Sequence, residues 1–160
     1  MRISFDLDGV ITDGDANSFF TSLRQSSLSF EQQRKAALGF YASCKPKYLP
    51  SLLMSQGDTG FIITSRQPEA QALTYRWLRQ HHILLPVYFV DPFGDIDWLS
   101  YEEASREAGK RKARVIQSVG STIHYDNNPF IASELCRQLP GWTVFPMNDI
   151  FGIKKGGVTK

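Results

Sequence analysis

Cysteine and net charge are both scarce in this sequence. Its 160 residues include two cysteines, Cys44 and Cys136, which are far apart and lack the spacing of metal ligands. A chain of this length needs no disulfide to hold its core, so we expect reduced thiols and a cytoplasmic protein. The formal net charge of +2 is too small to indicate nucleic-acid binding by itself.

Long apolar runs are absent as well. No run approaches the roughly 20 apolar residues that cross a bilayer, and Asp6 and Asp8 interrupt the N-terminus before the apolar region of a signal peptide is complete. Internal repeats, low-complexity tracts and linkers are also missing. We therefore expect a soluble protein without a membrane partner, built as a single domain over residues 1–160. Its oligomeric state stays open.

Short apolar runs alternate with helical patterns along the whole chain. Runs rich in β-branched and aromatic residues predict five strands, at residues 3–5, 61–63, 87–90, 122–125 and 142–145. Apolar positions at helical spacing between these runs predict crossover helices, which are typical of a parallel sheet. The sequence therefore predicts an α/β, Rossmann-like fold with a five-stranded parallel sheet between helices.

Residues 13–57 are too many for a simple crossover. They contain two or three helical stretches, one of which opens with a capping box between Ser29 and Gln32. We interpret this segment as a small helical insertion after the first strand, a minimal cap beside the active site rather than a second domain with its own core.

Acidic side chains directly follow the first predicted strand. In an open parallel sheet, ligands bind beyond the carboxyl ends of the strands, and this strand is followed by Asp6-Leu7-Asp8-Gly9. Two carboxylates two residues apart can converge on one metal ion or phosphate, and glycine allows a sharp turn behind them. Calcium loops and acidic turns use the same letters, but the apolar run before Asp6 favours a strand end.

Two more strand ends carry polar residues. The second strand ends in Thr64-Ser65-Arg66, whose donors suit an anion, although a hydroxyl there can also cap the next helix. The fourth ends in Asp126-Asn127, and a basic run at residues 110–112 precedes it. Such a run either attracts an anionic substrate or is a solvated helix face. Because all these strand ends lie at one edge of one sheet, together they favour a phosphate site.

Taken in order, these motifs resemble those of the haloacid dehalogenase (HAD) superfamily of phosphatases. In that family an apolar strand ends in Asp-x-Asp, a second ends in Thr or Ser, and a lysine precedes a fourth strand that ends in one or two acids. The order and spacing agree over nearly the whole chain. The resemblance implies a Mg²⁺-dependent phosphatase with Asp6 as nucleophile and Asp8 as general acid and base. It also implies that Asp6, the backbone carbonyl of Asp8, and Asp126 bind the metal.

The resemblance further implies a set of substrate-binding residues, namely Thr64, Ser65, Arg66 and Lys112. Lys110 competes for the role of the motif lysine, but Lys112 is preferred because residues 113–119 continue from it as a helix behind the fourth strand. Asn127 departs from the family, in which many members carry a second acid here. The amide removes one negative charge and leaves a non-catalytic binding module with this fold as an alternative.

Three features bear on the substrate. The insertion is short, which implies an open site that accepts bulky substrates. Residues 110–112 are basic. Residues 74–78 resemble a segment of the phosphatase domain of polynucleotide kinase and of phage relatives. They favour a nucleotide or a nucleic-acid terminal phosphate, although the helical apolar stripe places Trp77 in the core. The alternative is a sugar-phosphate phosphatase, because residues 8–14 also resemble the first motif of enzymes that act on a sugar acid phosphate.

Overall fold

A five-stranded sheet forms the centre of the computed structural model, which describes residues 1–90 and 100–147. The strands are β1 (Arg2–Phe5), β2 (Thr59–Thr64), β3 (Val87–Phe89), β4 (Ile123–Asp126) and β5 (Thr143–Pro146). Their order is β3-β2-β1-β4-β5, and every neighbouring pair is parallel. The predicted α/β, Rossmann-like fold is confirmed, and each predicted strand matches an observed one to within two residues at either end.

Helices connect these strands. In the described part of the chain the α-helices are α1 (Ala16–Arg24), α2 (Phe30–Ser43), α3 (Gln71–Gln80), α4 (Tyr101–Ser118) and α5 (Pro129–Gln138), with short 3₁₀ helices at Pro50–Leu52 and Pro68–Ala70. Across the same ranges, 1–90 and 100–147, none of the helices has the length and apolar character needed to span a membrane.

The segment 13–57 contains α1, α2 and the first 3₁₀ helix. The capping box predicted at the start of α2 is confirmed. The Gln32 N–H donates to Ser29 Oγ at 3.2 Å, and the Ser29 N–H donates to Gln32 Oε1 at 2.9 Å. These two bonds satisfy backbone donors that have no partner inside the helix and thereby define where α2 begins.

Apolar clusters cover both faces of the sheet, as expected for parallel strands between helices. Ile3 and Phe5 of β1 pack in a buried cluster with Trp77 of α3. Because successive side chains on a strand point to opposite faces, Ser4 and Asp6 lie on the other side of β1. Helix α4 covers that side, so a polar face of the central strand meets α4 at the edge where the site forms.

Trp77 belongs to the core, as its helical stripe predicts. Its side chain is buried, and its indole N–H donates to the backbone carbonyl of Cys44 at 2.9 Å. The bond connects α3 to the residue directly after α2. Trp77 therefore anchors the insertion to the sheet, which explains the aromatic residue in this segment without any contact to a nucleic acid.

Candidate active site

Three strand ends converge on a small cavity. Since β1 lies between β2 and β4, the residues that follow these strands approach one another at the carboxyl edge of the sheet. The cavity has a volume of about 60 Å³, and its polar wall is formed by Asp6, Asp8, Ser65, Arg66 and Asn127. Asp6 and Asp8 are each only 7% exposed. The structure thus brings both predicted catalytic carboxylates together in one enclosed space.

Lys112 reaches this space from α4. Its side chain is fully buried, and Nζ donates hydrogen bonds to Asp6 Oδ1 at 2.8 Å and to Asp126 Oδ2 at 2.7 Å. Burial acts to lower the pKa of Lys112, but the two carboxylates outweigh it and the pKa is raised. Lys110 is exposed on the same helix and pairs with Glu107 at 3.3 Å. Lys112 is therefore the lysine that contacts the predicted nucleophile.

Asp6 carries a negative charge that its surroundings compensate only in part. Burial raises the pKa of Asp6 to about 7, because the effects of burial and of the neighbouring carboxylates Asp126 and Asp8 together exceed the opposing attraction of Lys112. A further cation beside Asp6 would stabilise its ionised form. The cavity is thus electrostatically suited to a bound metal ion.

Asp126 lies behind the cavity rather than in its wall. Oδ2 accepts from Lys112 and is 3.3 Å from His124 Nε2, while Oδ1 accepts from the Asn128 N–H at 2.9 Å. Burial acts to raise the pKa of Asp126, but Lys112 and His124 outweigh it and the pKa is lowered. Asp126 is not among the residues that line the cavity, but Oδ1 retains an acceptor position, so the metal contact of Asp126 stays a prediction. The adjacent Asn127 lines the cavity instead.

The Asn127 side chain packs directly against the turn behind the two carboxylates. A Cβ atom at Gly9 would lie 1.9 Å from Asn127 Nδ2, and Gly9 has a φ of +83°. Both facts require glycine at this position, the first for space and the second for backbone conformation. The Asp-x-Asp-Gly turn and the end of β4 are therefore in close contact.

Arg66 borders the cavity and pairs with Asp8. Its guanidinium is fully buried and donates to both oxygens of Asp8, from Nε to Oδ2 at 2.8 Å and from Nη2 to Oδ1 at 2.6 Å. Nη1 donates to Thr74 Oγ1 at 3.1 Å, and the Tyr41 ring lies 4.3 Å from the guanidinium carbon. The predicted substrate ligand is thus occupied mainly in holding Asp8, although it also borders the cavity.

The two hydroxyl residues after β2 differ in position. Thr64 is fully buried, and its Oγ1 accepts from the Arg66 N–H at 3.2 Å, so it shapes the turn after the strand. Ser65 lines the cavity, and its buried Oγ is the single side-chain polar atom without a hydrogen-bond partner among the buried residues that the structure describes. Ser65 therefore has a donor available to an anion in the cavity, whereas Thr64 does not line it and its phosphate contact stays a prediction.

The helical insertion covers this cavity. Four of its residues form one wall, namely Ala16, Asn17, Phe20 and Tyr41, and α4 forms the opposite wall with Tyr101, Ala104, Ser105 and Ala108. Tyr101 donates to Asn17 Oδ1 at 2.7 Å, and Asn17 Nδ2 donates to the Asn127 carbonyl at 3.3 Å. The rings of Phe20 and Tyr101 also stack, 6.5 Å apart. The expected open site is therefore partly enclosed.

His124 is a buried residue that the sequence motifs did not single out. Nδ1 lies 2.8 Å from Ser4 Oγ, and burial lowers the pKa of the ring, which favours a neutral imidazole that accepts from Ser4 and donates to Asp126. The strand period was a usable signal, since His124 is two residues before Asp126 and hence on the same face of β4. The Asn17–Tyr101 contact had no comparable local signal.

Oxygen donors suited to magnesium are present, but they are few. Among the residues described, no three His, Cys, Asp or Glu side chains are grouped to hold a metal ion. The cavity offers the Asp6 carboxylate and the Asn127 amide, to which the resemblance adds the backbone carbonyl of Asp8. Magnesium is often held by one or two carboxylates and completes its shell with water and substrate phosphate. The residues therefore fit a magnesium ion bound through a single carboxylate.

Comparison with known proteins gave one structural similarity. No family model matches the chain, and no curated protein sequence matches it. Among solved structures, the chain is similar to the HAD domain of the effector protein Lem4 from Legionella pneumophila, determined as an inactive mutant. The two are 12% identical with a TM-score of 0.48, over 90% of this chain and 82% of that one. The proposals below rest on the contacts in the cavity and not on this similarity.

Proposed function

We propose that this protein is a Mg²⁺-dependent phosphomonoester hydrolase that forms an aspartyl-phosphate on Asp6. The observation that carries the proposal is the contact of the Asp6 carboxylate with Lys112 at 2.8 Å, beside a cavity into which Ser65 presents an unpaired hydroxyl. A cavity of about 60 Å³ is several times larger than the roughly 10–15 Å³ needed to admit one water, so the oxygens of a phosphoryl group can enter it.

The charges of the site suit attack by Asp6 on phosphorus. Two carboxylates repel a phosphate dianion unless positive charge offsets them, and a bound Mg²⁺ would supply such charge as a Lewis acid at Asp6 and Asn127. Lys112 neutralises charge beside the attacking oxygen throughout the reaction. The Ser65 hydroxyl donates to a phosphoryl oxygen. The P–O bond to the leaving group breaks as the Asp6 Oδ–P bond forms.

Asp8 acts as the general acid and base in this proposal. It protonates the leaving oxygen in the first step and takes a proton from the attacking water in the second. Arg66 and Thr12 already fill about three of its roughly four acceptor positions. Asp8 is thus fixed in orientation by Arg66, which acts as a positioning residue, and the free acceptor position lies on Oδ2.

The structure weakens each argument for a nucleic-acid substrate. The insertion covers the cavity instead of leaving it open. Within the basic run, Lys112 is buried at the site, and Arg111, like Lys110, pairs with Glu107. Trp77 is held in the core. We therefore place a small phosphomonoester, such as a sugar phosphate, ahead of a nucleotide or a nucleic-acid terminal phosphate as the substrate.

A non-catalytic phosphate-binding module is the second candidate, and one observation favours it. The bidentate Arg66–Asp8 contact is buried and engages both oxygens of the group that must transfer protons. If Arg66 does not release part of this contact, phosphate binds in the cavity without turnover.

The experiment is phosphate release from p-nitrophenyl phosphate with and without Mg²⁺. The wild type should turn over only with Mg²⁺, and Asp6→Asn should lose at least a thousandfold in kcat, about 4 kcal/mol of barrier, because an amide cannot attack phosphorus. Beryllium trifluoride should bind the wild type but not Asp6→Asn. Activity of Asp6→Asn within an order of magnitude of wild type would contradict the mechanism. A wild type that binds phosphate but releases none from any ester would identify the binding module.

A further inference from the structure

The cavity at Asp6, with a volume of about 60 Å³, is the smaller of two spaces that Asn17 and Tyr101 both border. In the proposed mechanism the phosphoryl group lies in this cavity, and the body of the substrate extends from it. In the part of the chain that the structure describes, two concavities share residues with this cavity. One shares Phe20 with the cavity and holds only about 20 Å³. The other shares both Asn17 and Tyr101 with the cavity and holds about 390 Å³. On volume alone, the second is the one that can hold the body of a substrate.

The larger concavity, which we call the outer groove, has two chemically different sides. Its residues are Asn17, Ser18, Thr21 and Ser22 of α1 on one side and Tyr101, Pro129 and Phe130 on the other. The first side is an amide and three hydroxyls, all carried by consecutive turns of one helix. The second side presents two aromatic rings and a proline. None of these seven residues is charged, so the groove does not select for an anionic body.

These sides match a polyhydroxylated carbon skeleton, whose hydroxyls exchange hydrogen bonds with one wall while its C–H face lies against rings on the other. A polynucleotide would need cations for its additional phosphates. A cation beside the groove, Arg106, lies 5.8 Å from the Phe130 ring and pairs with Glu102 at 2.9 Å. That charge is already compensated by a carboxylate.

We propose that the outer groove is a binding subsite for the polyhydroxylated body of a sugar phosphate or polyol phosphate, with Asn17 and Tyr101 as the passage to the cavity. The inference rests on the proposed phosphatase function and adds the substrate class to it. The Tyr101–Asn17 hydrogen bond, 2.7 Å long, spans the boundary between the two spaces. A substrate that occupies both spaces displaces or replaces this bond with its own hydroxyl groups.

The test uses a double variant of the groove, Thr21→Val with Ser22→Ala. Both side chains are exposed on α1 and neither borders the cavity, so folding and the chemical step should be unaffected. KM for a hexose 6-phosphate should rise about tenfold, as expected for the loss of one or two hydrogen bonds. Turnover of acetyl phosphate, whose acetyl group is too small to reach the groove, should not change. Ser51→Ala, exposed at the opposite end of the sheet, is the matched control.

The results separate this inference from the proposed function. Three outcomes would show that the groove does not bind a polyol. The double variant could change KM equally for acetyl phosphate and hexose 6-phosphate, or change neither value. The third outcome is a wild type that prefers a 3′-phosphorylated dinucleotide. If the wild type releases phosphate from no substrate, the proposed function fails by itself. Calorimetry then measures the affinity of the wild type and of the double variant for hexose 6-phosphate. Tenfold weaker binding to the variant supports the subsite, and equal binding to both proteins or no binding to either overturns it.

Discussion

Replacing Lys112 with methionine removes a buried positive charge while keeping the length of the side chain. Hydrogen bonds of 2.8 Å to Asp6 and 2.7 Å to Asp126 are lost, and both carboxylates stay buried without their shared cation. Removing one partner of a buried ion pair costs about 3–5 kcal/mol. In a domain of this size each kcal/mol lowers Tm by about 2–4 °C. We therefore expect Tm to fall by roughly 6–20 °C and phosphate release to fall to background.

The assay is thermal unfolding followed by circular dichroism, together with phosphate release, and Lys110→Met is the matched control. Lys110 lies two positions earlier on α4, is exposed, and forms a surface ion pair with Glu107. Such pairs are worth about 0–1 kcal/mol, so Lys110→Met should keep nearly all stability and activity. Equal destabilisation of the two variants, or wild-type turnover in Lys112→Met, would refute the role of Lys112.

A second variant keeps the reasoning testable if Lys112→Met does not fold. Lys112→Met with Asp126→Asn removes the cation together with one of its two carboxylates, which relieves part of the uncompensated negative charge. The double variant should therefore be more stable than Lys112→Met alone, and it should fold even where Lys112→Met does not. A double variant that is no more stable than Lys112→Met, or that also fails to fold, would contradict the coupling of Lys112 and Asp126.

Two further predictions concern Asp6 and Asn127. The pKa of Asp6 is raised from 3.8 to about 7 in the folded protein, so the folded state binds more protons than the unfolded state between these pH values, and stability should fall as pH rises from about 4 to about 7. The urea midpoint should therefore fall less steeply with rising pH in Asp6→Asn than in the wild type. Identical pH profiles for the wild type and Asp6→Asn would contradict the raised pKa. Asn127→Asp should add a carboxylate to the cavity wall and tighten Mg²⁺ binding about tenfold, or about 1.4 kcal/mol. Titration calorimetry measures this directly, and an unchanged affinity would show that residue 127 does not face the metal.

Local patterns were sufficient for the elements and for part of the site. The runs of β-branched and aromatic residues identified all five strands because such side chains are enriched in strands. The capping box at Ser29 and Gln32 is a pattern over four residues, and it predicted the start of α2. Lys112 was preferred to Lys110 because a helix follows it, and the structure does place Lys112, not Lys110, against Asp6.

Other features depend on which way a side chain points after packing. Asp126 and Asn127 are adjacent, yet the first is sequestered by Lys112 and the second borders the cavity. Nothing in the order of the letters distinguishes these two directions. Likewise, Arg66 follows β2 as predicted, but its pairing with Asp8 requires the approach of two loops from neighbouring strands.

The sequence by itself determined the α/β fold, the strand ends at which polar residues gather, and the acidic turn after β1, because each of these follows from hydrophobic periodicity and turn chemistry over a few residues. Only the tertiary structure decided that the insertion covers the site, that Ser65 rather than Thr64 lines the cavity, and that an uncharged groove leads away from the cavity. These features arise from contacts between segments distant along the chain, such as Asn17 with Tyr101. Burial and charge pairing select such contacts only once the whole fold has formed.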